Sequence, residues 1–266
     1  MSCPPNGVTA ISRTDGFGAT YAAMISVYSW AKQRRLPYCT SAWHEMQHVP
    51  SGTALMMFIL VGGPAYGPPA LANTTRVDEK HTLLASFSSV HRQLWHSSVR
   101  NLYAAARPKP PLLWLDDGDA ARLHISAHVR RGDVGLGFSG SRYLSNGDVA
   151  VCIVGVLSTL QRARRDSGRV PPTVHILSQG ERSSFDPLQK LPRVRFHLNA
   201  PLAATFHSMV MADVLILASS TLSEVAAFLA AGRLEVQLFA HPRAAGLLKY
   251  VRRGLPIQDC TSYNAG

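Results

Sequence analysis

Val194 to Ala218 reads VRFHLNAPLAATFHSMVMADVLILA, which holds a strand, a helix and a second strand in one short stretch. VRFHL (194–198) suits a strand, LAATFHSMVMA (202–212) a helix, and DVLILA (213–218) is an apolar run of the kind that forms a strand buried on both faces. The alternation continues in both directions. Downstream, a helix runs from about Leu222 to Ala231, closed by Gly232, and LEVQLFA (234–240) is a strand. Upstream, TVHILS (173–178) is a strand, and Val149, Cys152, Ile153, Val156, Leu157 and Leu160 mark one face of a helix that ends near Asp166. Before that helix, LHISAHV (123–129) sets Leu123, Ile125, Ala127 and Val129 against His124, Ser126 and His128, the period of a strand. Strands alternating with helices predict an α/β fold with a parallel, doubly wound sheet.

The amino-terminal half is less regular. Gly16-Phe17-Gly18 reads as a turn feeding a helix over 19–33, with Tyr21, Met24, Ile25, Tyr28 and Ala31 at helical spacing. LPYCTSAW (36–43) suits a short strand. Residues 50–80 are rich in Gly, Pro and Ala, and GGPAYGPPA within them is the chemistry of a loop or linker. A second helical pattern over 82–105 stops at the Arg-Pro-Lys-Pro-Pro breaker of 107–111. The expected organisation is therefore an α/β lobe over 1–110 and a Rossmann-like lobe over 111–266, with no internal repeat.

A chain of 266 residues that is 46% hydrophobic can bury a sizeable core. Lys and Arg number 27 against 16 Asp and Glu, a formal charge of +11, so an anionic partner is expected: nucleic acid, a membrane surface or a phosphorylated small molecule. Cys3, Cys39, Cys152 and Cys260 are scattered, without CxxC or zinc-ligand spacing, and read as free or buried thiols. The opening MSCPPNGVTAISRTDG lacks an apolar signal core, and the longest apolar run, Ala54 to Val61, is too short to span a bilayer. A cytoplasmic protein is the default; a Golgi or other secretory compartment follows if an amino-terminal anchor precedes this chain.

His128-Val129-Arg130-Arg131-Gly132-Asp133 carries the most chemistry. It lies at the carboxyl end of the strand over 123–129, where parallel α/β sheets bind ligands. Arginine suits a diphosphate because its planar fork gives paired hydrogen bonds and its charge is not titrated away. Two guanidinium groups are expected to face the site, Gly132 allows a tight turn, and Asp133 locks one arginine or caps the loop. The same residues also fit a solvated loop ion pair, and His128 also fits a half-buried strand-end histidine.

The string HVRRGD resembles the HxRRGD signature of the fucosyltransferase superfamily that uses GDP-fucose, which includes α1,2-, α1,6- and protein O-fucosyltransferases. Three further blocks are similar to the same superfamily in the same order: DGFGATYAAMISVYSWAKQRRLPY, TVHILSQGERSSF, and HLNAPLAATFHSMVMADVLILASSTLSEVAAFLAAG. Together they span most of residues 14–239. The chain departs from the family pattern at Thr20, where a Gln is usual, and at Ser219, where a basic residue is common.

The resemblance implies a GT-B-like fold of two Rossmann-like lobes, with the acceptor side in 1–110 and nucleotide-sugar binding in 111–266. It makes Arg130 the chief ligand of the β-phosphate, supported by Arg131 and His128, with Asp133 on the same loop. Ser178 and Gln179 border the nucleotide. Ser220, Thr221 and Ser223 offer hydroxyls and helix-start N–H groups to phosphate, although an ordinary helix cap accounts for them equally. Asp213 occupies the acid position of its block and also fits a loop anchor. Gly16 and Gly18 let backbone approach the donor, or form a plain turn. The implied reaction is an inverting transfer of fucose from GDP-fucose to a glycan or protein hydroxyl, with no metal or other cofactor. Arg130 stabilises the departing phosphate, and Asp15, Glu45 or Asp133 takes the acceptor's proton. The rivals are a nucleotide-sugar binder without turnover and a nucleic-acid binder. The latter rests on the +11 charge and on basic runs at Arg162–Arg165 and Lys249–Arg253, which lack interleaved aromatics, so no nucleic acid is expected as a partner.

Overall fold

A computed structural model describes residues 3–11, 16–41, 65–66, 74–77, 98–106, 109–115, 122–134, 143–163, 170–230 and 234–237. The chain divides into two compact units, Met1–Pro110 and Pro111–Gly266. Each is α/β with parallel strand pairing. Among the described residues no helix is long and apolar enough to cross a membrane.

In the first unit, β1 (Val8–Ala10) precedes α1 (Phe17–Gln33), followed by β2 (Thr40–Ser41), β3 (Ala65–Tyr66) and β4 (Thr75–Val77). β1 pairs with β4 and β2 with β3. Tyr21, Met24, Ile25, Tyr28 and Ala31 are all buried, as their spacing predicts. The expected glycine turn is shorter than its sequence suggests, because Gly16 is the helix cap and Gly18 already lies buried in the first turn. The strand expected over 36–43 contracts to Thr40–Ser41, preceded by a single bridge between Val8 and Tyr38; residues 42 and 43 lie outside the described residues. Two short strands come from the 50–80 segment, β3 from within the GGPAYGPPA stretch expected to be loop or linker and β4 from beyond it. Runs of two and three residues are too short for an alternating pattern to register. Of the helix expected over 82–105, residues 98–105 are helical and the rest lie outside the described residues.

The reading of the cysteines needs correction. Cys3 and Cys39 form a disulfide with Cα atoms 6.0 Å apart, and Cys152 is disulfide-bonded too. A gap of 36 residues gives no sequence cue, because the pairing depends on parallel strand contacts. Val8 donates to Pro37 O and Cys39 donates to Val8 O, which draws the segment before β1 against the segment after α1.

The second unit runs β5 (His124–His128), α2 (Asn146–Ala163), β6 (Thr173–Ser178), a 3-10 turn (Arg182–Phe185), α3 (Asp186–Gln189), β7 (Val194–Leu198), α4 (Leu202–Met211), β8 (Val214–Leu217), α5 (Thr221–Leu229) and β9 (Leu234–Gln237). Its parallel sheet has the order β7-β6-β5-β8-β9. The chain therefore builds outward from β5 to β7, then returns to the other side of β5 for β8 and β9. This is the doubly wound topology of a Rossmann-like unit. α2 starts at Asn146, earlier than its apolar stripe, because Ser145 caps it: the Ser145 hydroxyl accepts from Asp148 N at 3.1 Å and donates to the Asp148 carboxylate at 2.7 Å.

The two faces of this sheet differ. Ile125, Ala127, Val129, Val174, Ile176, Val214 and Ile216 lie on one, in a cluster with Val149, Cys152, Ile153, Phe185 and Leu188 from α2, the 3-10 turn and α3. Full burial of each such aliphatic side chain stabilises by about 1.5–3 kcal/mol. Right-handed crossovers carry α4 and α5 to the other face, where Ser126, His128 and His175 are buried as well. There His124 Nδ1 lies 3.0 Å from His175 Nε2, and His175 Nδ1 lies 2.9 Å from His197 Nε2. Trp114 stacks on His124 with ring centres 5.1 Å apart. Burial, aided by His197, His124 and Arg195, lowers His175 to a pKa of about 3, so that ring is neutral at ordinary pH.

Candidate functional site

β5 and β8 are neighbours whose following helices leave in opposite directions along the sheet, α2 toward β6 and α5 toward β9. Such a switch in winding opens a crevice outside the carboxyl ends of the two strands. The loop carrying Arg130–Asp133 follows β5, and Ala218–Ser220 leads from β8 into α5.

Arg130 is held side-on by Asp133. Its Nη2 donates to Oδ2 at 2.6 Å and its Nε lies 3.4 Å from Oδ1. That arrangement engages one edge of the guanidinium and leaves the Nη1–Nη2 edge directed elsewhere. Gly132 sits at φ +82, a conformation that favours glycine, and a Cβ there would collide with the Gln179 amide. Gln179 thus folds over the turn, while the Ser178 hydroxyl donates to Val129 O at 2.6 Å. The loops after β5 and β6 are consequently packed together.

Arg131 does something different from the expectation that both guanidinium groups face a ligand. It donates to Arg130 O at 2.8 Å, Leu144 O at 2.9 Å and Asn146 Oδ1 at 2.6 Å. Its guanidinium also lies 4.3 Å from the centre of the Tyr143 ring and 5.8 Å from that of Phe185. Burial lowers its pKa from the ordinary arginine value, with Tyr143 opposing the shift. Arg131 is a brace between the loop and the start of α2.

His128 is buried, and its Nδ1 has no hydrogen-bond partner among the described residues. Burial first, and the Arg130 charge second, depress its pKa to about 4, with Asp133 pulling weakly the other way. The ring is neutral near pH 7 and brings no positive charge to an anion.

The helix-start residues divide. Ser220 caps α5 without a side-chain cap bond, and Thr221 opens the helix on its less buried side. Ser223 turns inward, its hydroxyl 2.9 Å from Ser220 O and 3.1 Å from Ala218 O. Asp213 lies at the opposite end of the sheet from Arg130. It accepts from His124 N at 2.9 Å and donates its own N–H to His124 O, so it anchors the amino edge and is not brought to the crevice. Gly16 belongs to the first unit, capping α1 at φ −57 with open space where a Cβ would stand. Asp15 and Glu45 lie outside the described residues, as do Arg164, Arg165 and the Lys249–Arg253 run. Among the described residues no three His, Cys, Asp or Glu side chains converge to hold a metal ion.

Two residues at this edge escape sequence reasoning. Asn146 bridges Arg131 and Ser184 O, with 2.6 Å on each side. Glu224, in the first turn of α5, is pushed by burial up to about pKa 7, even though a helix start favours carboxylate. The acid in SSTLSE was visible in the sequence, but its desolvation was not.

The second unit is thus a Rossmann-like α/β unit with an arginine at its winding switch. No family model matches the chain, and no curated protein matches it. Among solved structures, it is similar to the fucosyltransferase NodZ from Bradyrhizobium, with TM-score 0.48 and 12% identity over 90% of this chain and 97% of that one. It is also similar to POFUT1 in complex with GDP, with TM-score 0.47 and 10% identity over 90% and 99% of the two chains. A third is a mutant of Arabidopsis thaliana FUT1 in complex with GDP, with TM-score 0.44 and 11% identity over 91% and 72%.

Proposed function

We propose that the chain is a glycosyltransferase that binds a GDP-sugar through Arg130 and transfers fucose, with inversion, to a glycan or protein hydroxyl. The observation that carries this reading is Arg130 at the β5/β8 crevice, fixed by Asp133 along one edge of its fork. A diphosphate oxygen pair matches the remaining edge. As the acceptor hydroxyl attacks the anomeric carbon and gives its proton to a base, with Asp15, Glu45 and Asp133 the candidates, the bond to the β-phosphate breaks and negative charge grows on the departing GDP. Arg130 stabilises that charge, aided by the N–H groups at the start of α5. No metal takes part in this reading, so EDTA leaves transfer intact. The partners are the nucleotide sugar and its acceptor, not nucleic acid. The Cys3–Cys39 disulfide supports maturation in an oxidising compartment over the cytoplasmic default.

One observation favours binding without turnover as a second reading. Asp133, the one candidate base among the described residues, has its carboxylate engaged by Arg130 at 2.6 Å. Isothermal titration with GDP, UDP and CMP, together with a fucose-transfer assay, tests both readings. Guanine preference with transfer is the expected result. Binding without transfer or slow hydrolysis leaves the binding protein, and no preference for GDP sinks both. Arg130→Lys is expected to weaken GDP binding by at least about tenfold, since lysine supplies charge without the fork. Parent-like affinity in that variant removes the paired-fork argument.

A further inference from the structure

We infer that Asn146, at the start of α2, is a positioning residue for the arginine loop, acting on Arg130 through Arg131. This rests on the reading of Arg130 as the diphosphate ligand. The argument starts from donor and acceptor chemistry. An arginine only donates and a main-chain carbonyl only accepts, so the Asn146 amide has one orientation, with Oδ1 toward Arg131 Nη2 and Nδ2 toward Ser184 O. Arg131 in turn donates to the main-chain oxygen of Arg130. Three segments at the carboxyl edge of the sheet are therefore joined through one side chain: the loop after β5, the start of α2 and the 3-10 turn after β6.

The brace has little slack. The Arg131 guanidinium has its plane set by the Tyr143 ring at 4.3 Å, and its Nη2 is shared between Leu144 O and Asn146 Oδ1. With those atoms fixed, Arg131 Nη1 holds Arg130 O at 2.8 Å, which sets the peptide that carries the Arg130 side chain. Asp133 orients that side chain from beyond the Gly132 turn. Removing the Asn146 amide loosens Arg131 at its far end and leaves the Ser184 carbonyl without this donor. Small displacements of a group that must meet a phosphate reduce binding steeply.

Ser145 provides the control. It caps the same helix through Asp148 and has no bond to Arg131. GDP affinity and thermal midpoint are measured for the parent, Asn146→Ala, Asn146→Asp and Ser145→Ala, with kcat and KM where transfer is seen. Asn146→Ala is expected to weaken GDP binding about tenfold and to raise KM more than it lowers kcat. Asn146→Asp keeps an acceptor for Arg131 and is expected to retain most of the affinity. Ser145→Ala is expected to lower the midpoint comparably while leaving affinity within about twofold. Combining Arg131→Ala with Asn146→Ala should weaken binding no further than Arg131→Ala alone, because the two act in series. Parent-like affinity in Asn146→Ala overturns the inference, as does an equal loss in Ser145→Ala at a matched midpoint. If the parent does not bind GDP, the functional reading fails first and this one with it; if only the variants disagree, this one fails alone.

Discussion

The two faces of the five-stranded sheet are built from the same strands and buried to nearly the same degree, yet they differ in chemistry. One presents Ile125, Ala127, Val174, Ile176, Val214 and Ile216 to an apolar cluster. The other mixes Ser126, His128 and His175 with Leu177, Leu215 and Leu217, each under a tenth exposed. On the apolar face every buried atom gains from leaving water. On this polar face each buried nitrogen or oxygen needs a partner, and paired rings stand beside orphaned atoms: His175 is bonded on both nitrogens, whereas Ser126 Oγ and His128 Nδ1 have no partner among the described residues. Alternation in a strand therefore reports which residues share a face, and says nothing about whether that face is wet.

The largest expected effect lies on the apolar side. Ile176 is fully buried at the centre of β6, so Ile176→Ala should cost about 2–5 kcal/mol through lost transfer energy and the cavity left behind. Urea denaturation reads this as a lower midpoint with an unchanged slope. A loss below about 1 kcal/mol would mean that this face is not the close-packed one.

The next effect separates the faces by pH. His175 has a pKa of about 3 in the folded chain against 6.5 when free, and His128 about 4. Both are depressed, so the unfolded chain binds more protons in that window. Their contribution is fully present above pH 6.5 and is lost as pH falls toward the folded values. The slope is at most about 1.4 kcal/mol per pH unit for each proton. Glu224 works the other way, because its folded pKa of about 7 exceeds the free value of 4.5. Its contribution is complete below pH 4.5 and is lost as pH rises through 7. Stability measured from pH 4 to 8 should accordingly show an acid limb that flattens in His175→Phe and an alkaline decline that shrinks in Glu224→Gln. An acid limb unchanged by His175→Phe would show that the imidazole row is not held neutral.

The comparison also explains what was readable in the sequence. β6 and β7 fall at the residues their patterns predict, and the apolar face of α2 follows from its period of 3.6, because those signals are local. The place of Arg130, just beyond the carboxyl end of β5, follows from the alternation of 123–129. The brace made by Arg131 has no local signal, because its acceptors, Leu144 O and Asn146 Oδ1, lie 13 and 15 residues away in sequence. Asp213 stays open between ligand and anchor in the sequence because an acid at a strand start has the same local pattern in both; the structure gives it the anchor's bonds to His124. The disulfide and the burial of the histidines depend on contacts between distant segments, and no spacing rule encodes those.

The smallest expected effect tests the polar face most directly. Ser126 sits in the middle of β5, fully buried, with Leu215 of β8 and His175 of β6 as its register partners, and its hydroxyl finds no hydrogen-bond partner among the described residues. Burying an unpaired hydroxyl costs about 1–3 kcal/mol on protein scales. Ser126→Ala deletes one atom, leaves a void too small for water, and removes that cost. The loss of packing around one oxygen offsets part of the gain. The net expectation is a protein as stable as the parent or up to about 1 kcal/mol more stable, the opposite sign from Ile176→Ala, which lies on the neighbouring strand one register position along and on the other face. Paired urea curves at pH 7 read the difference. A loss of more than about 1 kcal/mol would show that the hydroxyl is hydrogen-bonded in solution, and Ser126 would then join the paired row of rings, leaving His128 Nδ1 as the orphan of that face.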